Sequence, residues 1–226
     1  MVAASVAQAH RAVLVDGRKV VVKVQRPDAA IQVRIDGDIM TRFARTAQRR
    51  FQWASAMGLA DLVEGFVGSL NDELDYRIEA RNLELMTSVL ADFERIHIPG
   101  VHQDLSTSRV LVMDEIAGTT LDTPSSKLAT RAASQRADAS RDLLHAVLHS
   151  IVVAGIFHAD LHPGNIMMRP DGDLVLLDLG AVAILDDETR TLLATLLNAA
   201  LCDDAVTATA ATLMAFGVPD TMTPKP

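Results

Sequence analysis

The sequence predicts an α+β protein of two lobes with a cleft between them. Three observations carry this. β-Branched runs crowd the first forty residues, helical patterns fill most of the remainder, and the stretch from Asp114 to Gly118 forms a natural crossing point. Strands and helices segregated in this way pack as α+β, and a cleft between two lobes is a favoured ligand site.

The first element is a hairpin. HRAVLVDGRKVVVKVQRP, from His10 to Pro27, places two β-branched runs around Asp16-Gly17, a strong turn signal. Pro27 ends the second run, because proline donates no ladder hydrogen bond. Residues 28–58 are basic and mixed and read as helical, with Gly58 as a stop. Residues 61–93 read as one helix, with Leu62, Phe66, Leu70, Leu74 and Ile78 recurring every four positions.

Pro99-Gly100 breaks the chain, and RVLVMDEIAG follows as a short buried strand. TPSSK is a polar connection, after which Leu128 to Gly155 read as helix. A loop, a strand (Asn165 to Met168), a Pro-Asp-Gly turn, a second strand (Leu174 to Leu177) and another loop come next. The remainder is helical up to a proline-containing tail. The expected divisions are a first lobe over 1–113, a hinge over 114–122 and a helical lobe over 123–226.

Composition narrows the function classes. Across 226 residues, 49% are hydrophobic and 22% charged, as in ordinary globular chains. The net charge of −8 argues against a general nucleic-acid binder. Cys202 is the single cysteine, so no internal disulfide forms, and a reducing, cytoplasmic setting is expected. No run approaches the ~18 apolar residues of a membrane span, which leaves peripheral membrane contact as an open alternative. Aromatic residues are only 4%, so the core must rest on aliphatic side chains and methionine.

The chemistry concentrates in FHADLHPGNIMMRPDGDLVLLDLG, from Phe157 to Gly180. Asp160, Asn165 and Asp178 stand at the ends of apolar segments that a hairpin folds together. Asn and Asp oxygens suit Mg²⁺, which is usually held by one or two carboxylates plus substrate phosphates. A further carboxylate can take a proton from an incoming hydroxyl, and together these are the parts of phosphoryl transfer. Either aspartate alone reads equally as a turn or cap residue. HADLH also offers His158, Asp160 and His162 as zinc ligands, yet no other histidine motif completes such a site. His158 is better read as fixing the loop, and His162 as ordering the Pro-Gly turn.

Two more segments fit a phosphate site. Lys23 alternates with Val22 and Val24 and so faces opposite to them. Asp75 and Glu79 are four apart on the expected helix, with Glu73 nearby. Like charges at that spacing repel unless the face is solvated or a cation sits opposite. A lysine held by a helix carboxylate is a kinase device. Small residues in VAASVAQAH would let backbone approach a ligand closely, although alanine is less permissive than glycine.

Together these segments resemble the UbiB (AarF) family of atypical protein-kinase-like proteins. VAASVAQAHRA resembles its alanine-rich loop, with Ala3, Ala4 and Ser5. VVVKVQRP resembles the strand of the nucleotide lysine, here Lys23. ELDYRIEARN resembles the E-x-D signature at Glu73 and Asp75, with Glu79 as the lysine partner. FHADLHPGN resembles the catalytic loop, and LLDLG stands where a metal-binding D-F-G lies, with Leu179 replacing phenylalanine. VLVMDEIAG resembles the adenine-holding strand and hinge, through Met113, Asp114 and Ile116.

The resemblance implies a two-lobed protein-kinase-like fold with an incomplete N-lobe. It implies ATP and Mg²⁺ as cofactors. Asp160, Lys23 and Glu79 become catalytic residues, and Asn165 and Asp178 metal ligands. It further implies phosphotransfer or ATP hydrolysis in ubiquinone or isoprenoid-lipid metabolism, with quinone-biosynthesis proteins or an isoprenoid lipid as partners. A nucleotide-binding pseudokinase and an aminoglycoside- or choline-type phosphotransferase stay open as alternatives. The family's K-x-G-Q stretch is not found before the alanine-rich loop. The expectation is therefore a truncated small lobe lacking its first strand, with an open edge beside His10 to Val15.

Overall fold

The computed structural model describes residues 2–3, 7–123, 133–202, 204, 205, 207, 208, 211 and 212. β2 (Ala7–Val13) and β3 (Lys19–Gln25) form the expected hairpin. Gly17 adopts φ 90°, and the Asp16 carboxylate accepts from the Arg18 N–H at 3.0 Å. A short strand, β1 (Val2–Ala3), pairs with Gln8 and Ala9 of β2. β4 (Ile96–His97) intervenes in the chain before β5 (Val110–Asp114). The small-lobe sheet runs β1-β2-β3-β5 and is antiparallel throughout. The expected absence of a strand before the hairpin is thus corrected in part. β1 covers two residues of β2 and leaves the edge from His10 to Val13 without a described partner.

Four helices connect β3 to the rest of the chain. They are α1 (Ala29–Arg50), α2 (Gln52–Ala56), α3 (Leu59–Asp72) and α4 (Tyr76–Val89). Gly58 makes the turn into α3 at φ 63°. Gly37 lets α1 and α3 approach, because a Cβ there would lie 2.8 Å from Val67 Cγ1.

The single helix expected over 61–93 is two. The reason is local. Asp75 turns extended (φ −109°, ψ 94°) and its carboxylate accepts from the Arg77 N–H at 3.1 Å. An aspartate N-cap offers the backbone an alternative to continuing the preceding helix. Asp75 and Glu79 therefore do not share one helix face as a repelling pair. The apolar stripe is also split, since Leu62 and Phe66 are exposed while α4 buries Tyr76, Ala80, Leu83 and Met86.

β6 (Thr119–Thr120), β8 (Ile166–Met168) and β9 (Leu174–Leu176) join β4 in a second sheet of order β4-β9-β8-β6. β4 is parallel to β9, so the chain visits the second lobe before returning to β5. α5 (Ala133–Leu148) continues into a π-helical turn, His149–Ala154, that ends at Gly155 with φ 68°. The TPSSK connection beyond Thr123 and the expected helix start over 128–132 lie outside the described residues.

β7 (Ile156–His158) pairs antiparallel with β10 (Val182–Ile184). Both were expected to be loop. Three-residue strands carry too little alternation to signal themselves. α6 (Asp187–Leu201) is capped by Asp186, whose carboxylate accepts from the Thr189 N–H at 2.7 Å.

One apolar cluster spans both lobes. Leu83 and Met86 of α4 and Leu111 and Met113 of β5 meet Ile166, Leu174, Leu176 and Leu179. Each fully buried aliphatic side chain contributes about 1.5–3 kcal/mol. The core therefore anchors α4 and the loop after β9 at once. Among the described residues no helix is long and apolar enough to cross a membrane.

Candidate functional site

Lys23 sits mid-strand in β3, between β2 and β5. Its ammonium donates to Glu79 Oε1 at 2.9 Å and Oε2 at 2.8 Å, and to Asp178 Oδ1 at 2.9 Å. Three elements thus converge on one cation: β3, α4 and the loop after β9. Glu79 is 3% exposed, a costly place for a charge unless a partner is present.

Burial alone would depress the Lys23 pKa, but the two carboxylates overcome it and raise the group above the ordinary lysine value. Burial pushes Glu79 up to about 7, against the pull of Lys23. Asp178 is also desolvated, yet Lys23 holds it below the usual carboxylate range.

Asp178 has φ 51°, the one positive φ outside glycine among the described residues. Left-handed backbone at a non-glycine residue stores strain of order 1–3 kcal/mol and clusters at ligand sites. The surroundings hold it there. Leu179 is fully buried, and the Asn82 side chain donates to the Leu179 carbonyl at 2.8 Å. α4 therefore sets both Lys23, through Glu79, and the Asp178 loop, through Asn82.

The loop after β7 is fixed by its histidines. His158 Nδ1 accepts from the Asp160 N–H at 3.2 Å, and Nε2 lies 3.1 Å from the Leu177 carbonyl. These contacts match a neutral ring with the proton on Nε2, and burial lowers its pKa accordingly. His162 Nδ1 accepts from the Gly164 N–H at 3.1 Å. Both histidines thus have structural tasks, and His158 has no nitrogen left over for zinc.

Asn165 is buried and donates from Nδ2 to the Asp160 carbonyl at 3.0 Å. Its backbone carbonyl accepts from the Leu177 N–H at 2.8 Å, tying the loop to β9. The Asp160 carboxylate is 70% exposed, with His162 Nε2 at 3.9 Å.

A cavity of about 470 Å³ opens between the lobes. Ala7, Val21, Met113 and Leu177 are among its apolar walls, and Lys23, Glu79, Asn165 and Asp178 supply its polar end. Asp114 and Ile116 line it on the hinge side, and His10 and Arg11 also reach it. Asp160 is not part of that lining. Ala3 lies in β1, and Ala4 and Ser5 fall outside the described residues.

The E-x-D pair separates. Asp75 caps α4 and pairs with Arg77, which lowers its pKa through their hydrogen bonds. Burial, then the charges of Asp178 and Asp160, raise Glu73. Glu73 therefore stands in the field of the two loop aspartates, and Asp75 does not.

Sequence reasoning missed two contributors. Tyr76 lies beneath Lys23, with the ammonium 5.4 Å from its ring centroid. Its place three residues before Glu79 on the buried face of α4 was the available signal. Asn82, one turn beyond Glu79, carried no distinguishing pattern.

The donor chemistry fits Mg²⁺. Asn165 and Asp178 offer hard oxygens, and the ion takes its remaining ligands from water and phosphate. Among the described residues no trio of His, Cys, Asp or Glu forms a metal cluster.

The sequence profile of the ABC1 atypical kinase-like domain matches residues 1–211. The chain therefore belongs to that family. An AarF domain-containing protein kinase 1 of Xenopus laevis is 35% identical over 193 residues, covering 83% of this chain and 36% of that protein. A probable protein kinase UbiB of Aliivibrio fischeri is 31% identical, covering 86% and 36%. An uncharacterized Mycobacterium tuberculosis protein is 34% identical, covering 98% and 46%. The chain spans under half the length of these relatives. The solved complex of Rv3197 with erythromycin, from Mycobacterium tuberculosis, superposes with a TM-score of 0.74 at 28% identity, covering 94% of this chain and 52% of that one.

Proposed function

We propose that the cleft binds Mg-ATP and supports phosphoryl transfer or ATP hydrolysis. The observation that carries this reading is the Lys23 ammonium, held by Glu79 and Asp178 at the polar end of an otherwise apolar cavity. The apolar walls suit a purine, and the fixed cation suits its phosphates. Met113, Asp114 and Ile116 frame the purine end.

Asn165 and Asp178 would hold Mg²⁺, which neutralises charge on the phosphate oxygens when bound. Lys23 orients those oxygens, and Glu79 keeps Lys23 in place. Asp160, projecting from a loop pinned by His158, accepts the proton of the attacking hydroxyl or water. Glu73 adds negative charge near Asp160 and Asp178, which favours a cation there. A role in ubiquinone or isoprenoid-lipid metabolism is the corresponding proposal, supported by kinship with a probable protein kinase UbiB.

Phosphate release from Mg-ATP tests the assignment. Asp160→Asn keeps the shape and removes the base, so turnover should fall by about 10²–10⁴-fold with nucleotide affinity nearly unchanged. Asp178→Asn should weaken metal-dependent affinity as well. A protein that binds Mg-ATP but shows no turnover sensitive to Asp160 is a binding module, not an enzyme.

A further inference from the structure

Tyr76 is 2% exposed, at the first position of α4. Its hydroxyl is buried, with no hydrogen-bond partner among the described residues. Its ring is the part that faces Lys23. The Lys23 ammonium stands 5.4 Å from the centroid, within cation–π range. Glu79, one turn along the same face of α4, holds that ammonium at 2.8 Å and 2.9 Å.

A lysine on a strand swings freely about four single bonds. Carboxylates restrain its charge but leave the side chain room to follow them. A rigid ring closing one side of the ammonium removes that room and keeps water from the ion pair. The Lys23 side chain is only 13% exposed, as this geometry requires. The ring also belongs to the core cluster with Leu83 and Leu111, so packing fixes it independently of Lys23.

We propose that the aromatic ring of Tyr76, and not its hydroxyl, is a positioning element for Lys23. This rests on the nucleotide-binding reading for its functional consequence, although the effect on Lys23 itself does not.

Two readouts keep these apart. One is the acetylation rate of Lys23 by acetic anhydride without nucleotide, mapped against Lys19. The other is the Kd for Mg-ATP. Tyr76→Phe should leave Lys23 as slow as in the parent, change Kd by less than about twofold, and melt no lower than the parent. Tyr76→Leu should speed Lys23 acetylation and weaken Mg-ATP by about three- to tenfold. In a Lys23→Met background, Tyr76→Leu should change affinity no further, which a merely structural role would not predict.

Loss of Lys23 protection in a folded Tyr76→Phe protein overturns the proposal, because the hydroxyl would then matter. So does a Tyr76→Leu protein in which Lys23 stays protected. If Tyr76→Leu does not fold, the Tyr76→Phe arm decides alone. If the parent binds no Mg-ATP yet Tyr76→Leu exposes Lys23, the nucleotide reading fails and the positioning role stands.

Discussion

At the scale of single residues, the site works by setting a buried charge against its own desolvation. Glu79 has a pKa near 7 because burial outweighs Lys23, against an ordinary value of 4.5. Between about pH 4.5 and about pH 7 the folded protein therefore holds a proton there that the unfolded chain has released. Ionising Glu79 costs folding stability; that cost is absent below about pH 4.5 and complete above about pH 7. Function runs the other way. As pH falls through 7, protonation of Glu79 loosens Lys23, so Mg-ATP affinity should weaken from about pH 8 to about pH 6. Glu79→Gln should flatten that dependence in calorimetric titrations. An equal slope in both proteins would place the titration elsewhere.

His158 gives a second residue-scale expectation. Burial lowers its pKa from 6.5, so its stabilisation is full above about pH 6.5 and declines as pH falls below it. His158→Gln should therefore lower the melting temperature more at about pH 7.5 than at about pH 5.5. A deficit that grows on acidification would mean that His158 acts as a cation.

At the scale of elements, α4 organises the site. Its cap, Asp75, marks where the helix starts, while the packing of Tyr76, Ala80, Leu83 and Met86 in the core sets where Glu79 and Asn82 point. Removing an aspartate N-cap costs about 1 kcal/mol, or about 2–4 °C in a chain of this size. The exposed Arg77 partner adds little beyond that. Asp75→Ala should lower the melting temperature by that amount and leave the Mg-ATP Kd near that of the parent. A large affinity loss without a stability loss would give Asp75 a direct role at the ligand.

The same elements show what the sequence could and could not disclose. The β2–β3 hairpin was legible, because Asp16-Gly17 and the valine runs are local signals. The spacing of Asp160, Asn165 and Asp178 at the ends of apolar segments put the three in one group, and the cavity lining takes in Asn165 and Asp178 but not Asp160. The break between α3 and α4 was not, because a four-residue repeat passes through Asp75 while the cap works on one residue. β7 and β10 were too short to show a period. The spacing of Tyr76 to Glu79 was legible, but its contact with Lys23 was not, because only the fold brings the two together.

At the scale of the whole molecule, one core ties the lobes, but much apolar surface stays outside it. Ile35, Ile39, Phe43, Phe51, Trp53 and Phe66 are all exposed on α1, α3 and the stretch around α2. For a chain with 4% aromatic residues, this is a large share to leave in water. Contiguous exposed apolar surface promotes association, and the stretch of β2 from His10 to Val13, without a partner among the described residues, is a second candidate. Phe43→Glu with Trp53→Glu should raise the concentration at which light scattering shows self-association. No change would mean that association, if present, uses the strand edge.

The central claim is that Lys23 and Glu79 act as one unit on nucleotide phosphates. The most direct test is a double-mutant cycle on Mg-ATP binding by calorimetry, with Lys23→Met, Glu79→Gln and the pair. Residues in direct contact give coupling energies of about 0.5–3 kcal/mol, so either single change should forfeit most of what the double change loses. Losses that simply add, or a parent protein with no affinity for Mg-ATP, would contradict the account.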